Sequence, residues 1–297
     1  MEPTVAIIGG SGIGDRFAAT EGAETLRLDT PFGPPSDAVV AARVGNIRTL
    51  SLNRHGPGHL LNPSCVPYRA NIFALKQVGA TRIIATGATG SLREDIKPGD
   101  LVICDQVIDK TFRRPGSFYD GVAAVHVEFA NPFCPLLRKA LLDAAADTDL
   151  KAHSAGTYVC MEGPQFSTRA ESNLHRNRGG DLIGMTCMPE AKLAREAEMC
   201  YALIALPTDY DCWKPHEPST DKTGLLDEII GNLNKAGDAA RTLIDAVLER
   251  LSTEQPAPCD CHRALQLAIW SDKSAIDPAE IERLKPLWGT YFPDQQC

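Results

Sequence analysis

The sequence predicts an α/β fold: a central sheet with helices on both faces and a functional site at the strand ends. Three observations carry this. Short apolar runs rich in β-branched residues alternate with longer segments of helical period. Several of those runs stop directly in small-residue or glycine-rich turns, where such folds bind ligands. The chain has 297 residues, 43% hydrophobic and 23% charged, enough for one large domain with a short appendage.

The first apolar run, residues 5–8, meets Gly9-Gly10-Ser11-Gly12-Ile13-Gly14. A dinucleotide fingerprint would need a glycine where Asp15 stands, so a nicotinamide cofactor is not expected. The glycines still allow close backbone approach, and the turn amides with the Ser11 hydroxyl suit an anion. Residues 39–44 and 47–52 read as a hairpin about Gly45-Asn46. It ends in Arg54-His55, either an anion site or a surface loop with incidental charge. Residues 66–78 carry helical spacing and stop at Gly79. Residues 83–85 read as a buried strand, and Thr86-Gly87-Ala88-Thr89-Gly90-Ser91 as a second small-residue turn. Residues 101–104 are a further strand. Residues 111–129 lack periodicity and read as a long loop, which holds Arg113-Arg114 and His126.

A proline opens the next helix, residues 132–146. The strand at 157–161 leads to Phe166, placed to stack on a flat ring or to pack in the core. Ser167 reads as the N-cap of a helix reaching Asn177. After a strand at 181–185, Thr186 sits at a strand-to-helix junction, a good anion donor, and the helix runs to about Met199. Residues 201–206 form a buried strand ending in Asp209 and Asp211. A long amphipathic helix covers 225–251. The expected organisation is a main domain of residues 1–252 and a C-terminal extension of 253–297. The extension opens with Cys259-Asp260-Cys261-His262, which reads as a metal site, a redox pair or part of a structural tail packed on the domain or on a neighbour, with the tail favoured. Two cysteines and a histidine are too few to identify a zinc site, so no metal is assigned.

Net charge is −8 without a basic cluster, which argues against nucleic acid and anionic membrane as partners. No apolar run approaches the roughly 18 residues of a membrane helix. No signal peptide is visible, so a cytoplasmic location is expected. Most of the ten cysteines sit in apolar settings and read as buried free thiols.

In an extended chain alternate side chains point the same way, so Asp209 and Asp211 are expected to face one pocket. The alternative is a pair of solvated loop acids. Two close carboxylates repel, and one that keeps its proton can act on a basic heterocycle. Three anion candidates upstream, Ser11, Arg54-His55 and Thr186, together with such an acid suggest phosphate attacking a glycosidic bond.

Ile7-Ile8-Gly9-Gly10-Ser11-Gly12, Asp29-Thr30-Pro31-Phe32-Gly33, Arg54-His55-Gly56, Gly90-Ser91-Leu92-Arg93, Ser117-Phe118-Tyr119-Asp120-Gly121, Glu162-Gly163-Pro164, Met185-Thr186 and Thr208-Asp209-Tyr210-Asp211-Cys212-Trp213 occur in that order. In these stretches the chain resembles the trimeric purine nucleoside phosphorylase family, in its methylthioadenosine-cleaving branch. The resemblance implies a phosphorylase/hydrolase-like domain with a mixed central sheet flanked by helices. It implies phosphorolysis of methylthioadenosine to adenine and 5-methylthioribose 1-phosphate. The alternative within the family is a broader purine nucleoside phosphorylase acting on adenosine or inosine. Phosphate would be a co-substrate, with no other cofactor, and the assembly a homotrimer. Ser11, Arg54, His55, Gly87, Ala88 and Thr186 would surround phosphate. Met185 would lie under the ribose, with Phe166 and Ser167 at the purine. Asp209 would serve purine N7 and Asp211 the exocyclic amino group. His126, Leu225 and Leu226 would face the 5′-methylthio group. Gly87 stands where relatives often carry threonine, and Lys222 lies near the expected 5′ pocket.

Overall fold

The computed structural model describes residues 4–10, 15–215, 222–253 and 257–293, without the side chains of Asp15, Lys222 and Leu225. The strands are β1 (Thr4–Gly9), β2 (Glu24–Leu26), β3 (Val39–Val44), β4 (Ile47–Asn53), β5 (Arg82–Ser91), β6 (Leu101–Ile103), β7 (Gln106–Asp109), β8 (Ala152–His153), β9 (Thr157–Cys160), β10 (Leu182–Gly184) and β11 (Cys200–Asp209). The helices are α1 (Asp15–Ala18), α2 (Tyr68–Gln77), α3 (Pro135–Ala146), α4 (Arg169–Asn177), α5 (Glu190–Glu196), α6 (Lys222–Thr253), α7 (Pro278–Arg283) and α8 (Lys285–Trp288).

All eleven strands join one mixed sheet in the order β2-β3-β4-β1-β5-β10-β9-β7, with β11 also on β5 and β6, and β8 on β6. β4, β1, β5 and β11 run parallel. β10 meets β5 antiparallel. The central strands β1 and β11 are buried on both faces, as parallel strands require. Along β1, Ala6 and Ile8 enter one apolar layer with α2 and α5, while Val5 and Ile7 enter the other with α3 and α6. This is the period-two alternation of a strand with two hydrophobic faces.

β5 positions the site. Its first half, Arg82–Ala85, pairs with β1 on one side. On that same side β10 pairs only with Gly90 and Ser91. Between them, Thr86 to Thr89 face neither strand, and the sheet splits open there. β11 holds the other edge of β5 along its length. The sequence reading placed a turn at 86–91; it is strand. Gly87 and Gly90 are there to make room for the Thr186 hydroxyl and for Asp209 and Asp211, not for chain reversal.

Other expectations shift by a residue or more. The cap of α4 is Thr168, not Ser167: the Thr168 side chain accepts from the Glu171 N–H, and Glu171 answers to the Thr168 backbone. This is a complete capping box. α3 starts at Pro135 with the Cys134 thiol as its cap. α5 spans only Glu190–Glu196 before β11 begins.

The C-terminal segment packs on the domain. Val125 bridges Ile269. Trp288 is 0% exposed within the same apolar layer as Tyr119 and Phe118, with its indole against Tyr119 at 4.8 Å. Trp288→Ala is therefore expected to cost about 3–5 kcal/mol, measured by urea unfolding. Trp270→Ala, whose side chain is 71% exposed, should leave stability within about 0.5 kcal/mol.

Candidate active site

The parallel ends of β1, β4 and β5 bring the small-residue turns to one mouth. The Arg54 N–H donates to the Gly9 carbonyl at 3.0 Å, which ties the end of β4 to the end of β1. Gly56 follows with φ 71°, and a Cβ there would lie 2.9 Å from the Ser36 carbonyl oxygen. Only glycine turns the chain away so closely after the Arg-His pair.

Arg54 is 1% exposed. Its Nε and Nη2 donate to Glu190 at 2.7 and 2.9 Å, and its Nη1 donates to the Thr86 carbonyl at 2.8 Å. The Tyr201 hydroxyl donates to the same carboxylate at 2.8 Å. Burial alone would lower the Arg54 pKa, but Glu190 outweighs it and the pKa is raised. A guanidinium has five N–H donors; these contacts engage three of them. A Cβ at Gly87 would sit 3.0 Å from Thr186 Oγ1, so Gly87 leaves room for that hydroxyl beside Thr86. Arg54, Gly87, Ala88 and Thr186 thus converge.

His55 stands next to them, stacked on His59 at 4.2 Å. Burial, assisted by the Arg54 charge, pushes its pKa down to about 4. The neutral ring donates from Nδ1 to the Leu61 carbonyl at 2.8 Å, which leaves Nε2 as an acceptor.

A second cation shapes the loop carrying Thr186. Arg114 donates from Nη1 to the carbonyls of Met185 and Met188, both at 2.6 Å, and from Nη2 to the Glu162 carbonyl at 2.7 Å. Glu162 also receives the Ser64 hydroxyl and the N–H groups of Phe112 and Arg113. Burial would raise its pKa, but these donors, with Ser64 foremost, and the Arg114 charge bring it down to about 2. The sequence reading gave no role to Glu190, Glu162, Arg114 or Tyr201. The three charged residues gave one visible signal, charge set among apolar or loop residues, which does not name a partner; Tyr201 lay inside an apolar run.

The acid pair lies at the far end of the split. A Cβ at Gly90 would meet Asp211 Cβ at 3.0 Å and Asp209 Oδ1 at 3.3 Å. The acids do not share a face by strand alternation, as expected from the sequence. The β11 register shifts between Pro207 and Asp209, and Asp211 has φ 49°, so the chain folds back. The Asp211 N–H then donates to Asp209 Oδ1 at 2.7 Å. The Thr208 hydroxyl donates to Asp209 Oδ2 at 2.7 Å. Asp211 Oδ2 is buried and has no hydrogen-bond partner among the described residues. The Cys212 thiol reaches the Ser167 carbonyl at 3.2 Å, which brings Ser167 and its neighbour Phe166 to this end. Phe166 is 85% exposed, so it is not a core residue. Met185 is near Gly163, whose Cβ position its sulfur overlaps.

The remaining candidates lie apart or beyond view. Ser11 and the Leu225 side chain fall outside the described residues, as does the Lys222 side chain. Leu226 is exposed near the start of α6. His126 is engaged by the C-terminal segment: its N–H donates to the Ala268 carbonyl at 2.9 Å, and its ring meets Trp270 at 4.7 Å.

The profile of the phosphorylase superfamily matches residues 4–249. The S-methyl-5′-thioadenosine phosphorylase of Geobacter sulfurreducens is 46% identical over 98% of this chain and 100% of its own. That of Rhodospirillum rubrum is 42% identical over 97% of each chain. Among solved structures, a methylthioadenosine phosphorylase from an antarctic soil metagenomic library superposes with TM-score 0.88, at 43% identity, over 97% of this chain and 99% of its own. The Schistosoma mansoni methylthioadenosine phosphorylase in complex with adenine gives TM-score 0.78 at 38% identity, covering 85% of this chain and 93% of that one.

The neutral His55 has a consequence for acid stability. Its folded pKa of about 4 lies below the ordinary 6.5, so between those values the unfolded chain binds a proton that the folded chain refuses. Stability is unaffected by this residue above about pH 6.5 and falls as pH drops toward about 4. His55→Asn should lose less stability than the parent between about pH 7 and pH 5 in urea titrations. Equal losses would refute a buried neutral His55.

Proposed function

The chain belongs to the phosphorylase superfamily, and on that footing we propose that it cleaves S-methyl-5′-thioadenosine with phosphate. The products are adenine and 5-methylthioribose 1-phosphate, and the chain is a pentosyltransferase. One observation carries the reading: the Thr186 hydroxyl and the carboxylate pair lie against one strand, β5, at Gly87 and at Gly90. Three residues of extended chain span roughly 10 Å, about the reach from a phosphate beneath a ribose to the far edge of its purine.

Phosphate lies against Arg54, His55, Thr186, the Gly87-Ala88 backbone and Ser11. Arg54 offers its two uncommitted N–H groups. Held there, a phosphate oxygen is oriented toward C1′, and its charge opposes the positive charge that builds on the sugar. The bond between C1′ and N9 breaks with its electrons moving into the purine. Asp209, in its acid form, donates to N7 and relieves that negative charge, and the phosphate oxygen closes the new bond to C1′. Acid assistance of this kind is worth about 10²–10⁴ in rate. The unpartnered Asp211 Oδ2 accepts from the exocyclic 6-amino group; a 6-oxo group would face it with another acceptor. That favours adenine nucleosides over inosine. Phe166 lies against the purine, Ser167 beside it, and Met185 under the ribose. Phosphate is the co-substrate, and no step calls for another cofactor.

The active assembly is a homotrimer in this reading. Phe166, Phe112, Leu60 and Trp270 are exposed, and a neighbour would cover such apolar side chains. His126, Leu225 and Leu226 face the 5′-methylthio group in this reading, and a neighbouring chain completes that pocket.

Adenine release from methylthioadenosine should require phosphate, and inosine should be turned over far more slowly. Asp209→Asn should lower methylthioadenosine turnover about 10²-fold or more and inosine turnover much less. Tight nucleoside binding without phosphate-dependent turnover would sink the enzyme reading; equal losses on both substrates would remove Asp209 as the base-reading acid. Light scattering should give three times the mass of one chain, and a fully active monomer would overturn the trimer.

A further inference from the structure

The thiols of Cys134, Cys200, Cys259 and Cys261 converge far from the acid pair. All four residues are buried, and their sulfurs lie within 4.8 Å of one another. The sequence showed only Cys259, Cys261 and His262 together. Folding adds Cys134, at the N-terminus of α3, and Cys200, the first residue of β11. The four come from three separate segments of the chain.

We propose that these four cysteines form a structural tetrathiolate zinc site that fastens the C-terminal segment to the domain. Four thiolates around zinc at about 2.3 Å put neighbouring sulfurs roughly 3.8 Å apart. The Cys134 and Cys259 sulfurs are 3.5 Å apart, near that edge and far beyond the roughly 2.05 Å of a disulfide. All four cysteines are free. Four soft thiolates in a compact group select zinc among the common divalent ions. On binding, the four thiols give up their protons to solvent and each sulfur donates a pair to the metal, with no oxidation.

Four thiolates and one zinc carry net negative charge, which N–H groups must offset inside the protein. The Leu137 N–H lies 3.4 Å from Cys134 Sγ. His262 Nε2 lies 3.5 Å from Cys200 Sγ. The N-terminus of α3 also favours a thiolate at Cys134. The site is structural because all four ligands are protein thiols and no position is open. β11 separates it from the acid pair: Cys200 and Asp209 are its two ends, roughly 30 Å apart for an extended strand.

The full chain, expressed with zinc in the medium and purified without chelator, should carry about one zinc per chain by plasma emission. Exchange for cobalt(II) in the unaltered protein should give intense near-ultraviolet thiolate-to-metal absorption and tetrahedral visible bands. The Cys259→Ser/Cys261→Ser double variant should lose the zinc and melt roughly 5 °C or more lower, with KM for nucleoside and phosphate unchanged. Cys65→Ser, at an exposed cysteine, should keep zinc. Zinc-free protein whose denatured, unreduced mass lacks the hydrogens of one or more disulfides would overturn the proposal. So would zinc-free protein with every thiol reduced after incubation with zinc, and so would iron as the sole metal.

Discussion

The buried pair of Arg54 and Glu190, with side chains 1% and 0% exposed, is the interaction on which the junction of β4, β5, α5 and β11 depends. Taking both charges out of water costs several kcal/mol per ion. Bidentate geometry, the Thr86 carbonyl and the Tyr201 hydroxyl offset that cost. The contacts join the end of β4, the open edge of β5, the start of α5 and the second residue of β11. Removing either partner would leave an uncompensated buried charge, so each of those elements is held to the others by electrostatic necessity. The arrangement also fixes the guanidinium plane. Its Nε–Nη2 edge is spent on Glu190, and Nη1 is tied to the Thr86 carbonyl.

Arg114 and Glu162 repeat the device one layer away, and their purpose is positional. The Arg114 guanidinium binds backbone carbonyls on either side of Thr186-Cys187, and so sets the segment that carries the Thr186 hydroxyl. Each of the two cations is matched by a carboxylate. The walls of this region therefore hold no unneutralised pair of cations, since each guanidinium sits against its own carboxylate.

The apolar runs of β1, β3, β4 and β11 were legible because burial on two faces leaves β-branched residues in short blocks. Residues 86–91 were not, because that part of β5 is chosen for space: Gly87 accommodates Thr186 and Gly90 accommodates Asp209 and Asp211. Local pattern registers small residues but not what they make room for. The relation of Asp209 to Asp211 was misread for a similar reason. Alternation assumes a regular strand, and the register shift before Asp209 is set by pairing with β5, a partner more than a hundred residues away. The same limit hid Glu190 behind Arg54 and hid Cys134 and Cys200 from Cys259 and Cys261. Those sets are assembled by topology, and each member alone looks like an ordinary buried residue.

β11 draws these threads together. Its first residue supplies a thiol to the four-cysteine cluster, its second supplies Tyr201 to Glu190, and its last is Asp209. A strand paired along its whole length with β5, and with β6 at its centre, cannot slide by one residue without turning every buried side chain to the wrong face. The position of Asp209 relative to Gly87 is therefore a property of one strand pair. Both ends of that strand are tied: by the Tyr201–Glu190–Arg54 contacts near its start, and by the Asp211 N–H and Thr208 hydroxyl on Asp209 at its finish. The C-terminal segment bears on the site through this same strand, because the cysteines that hold it close on Cys200. Anything that loosens that end must shift β11 against β5 before it can move Asp209, and the two buried faces oppose such a shift.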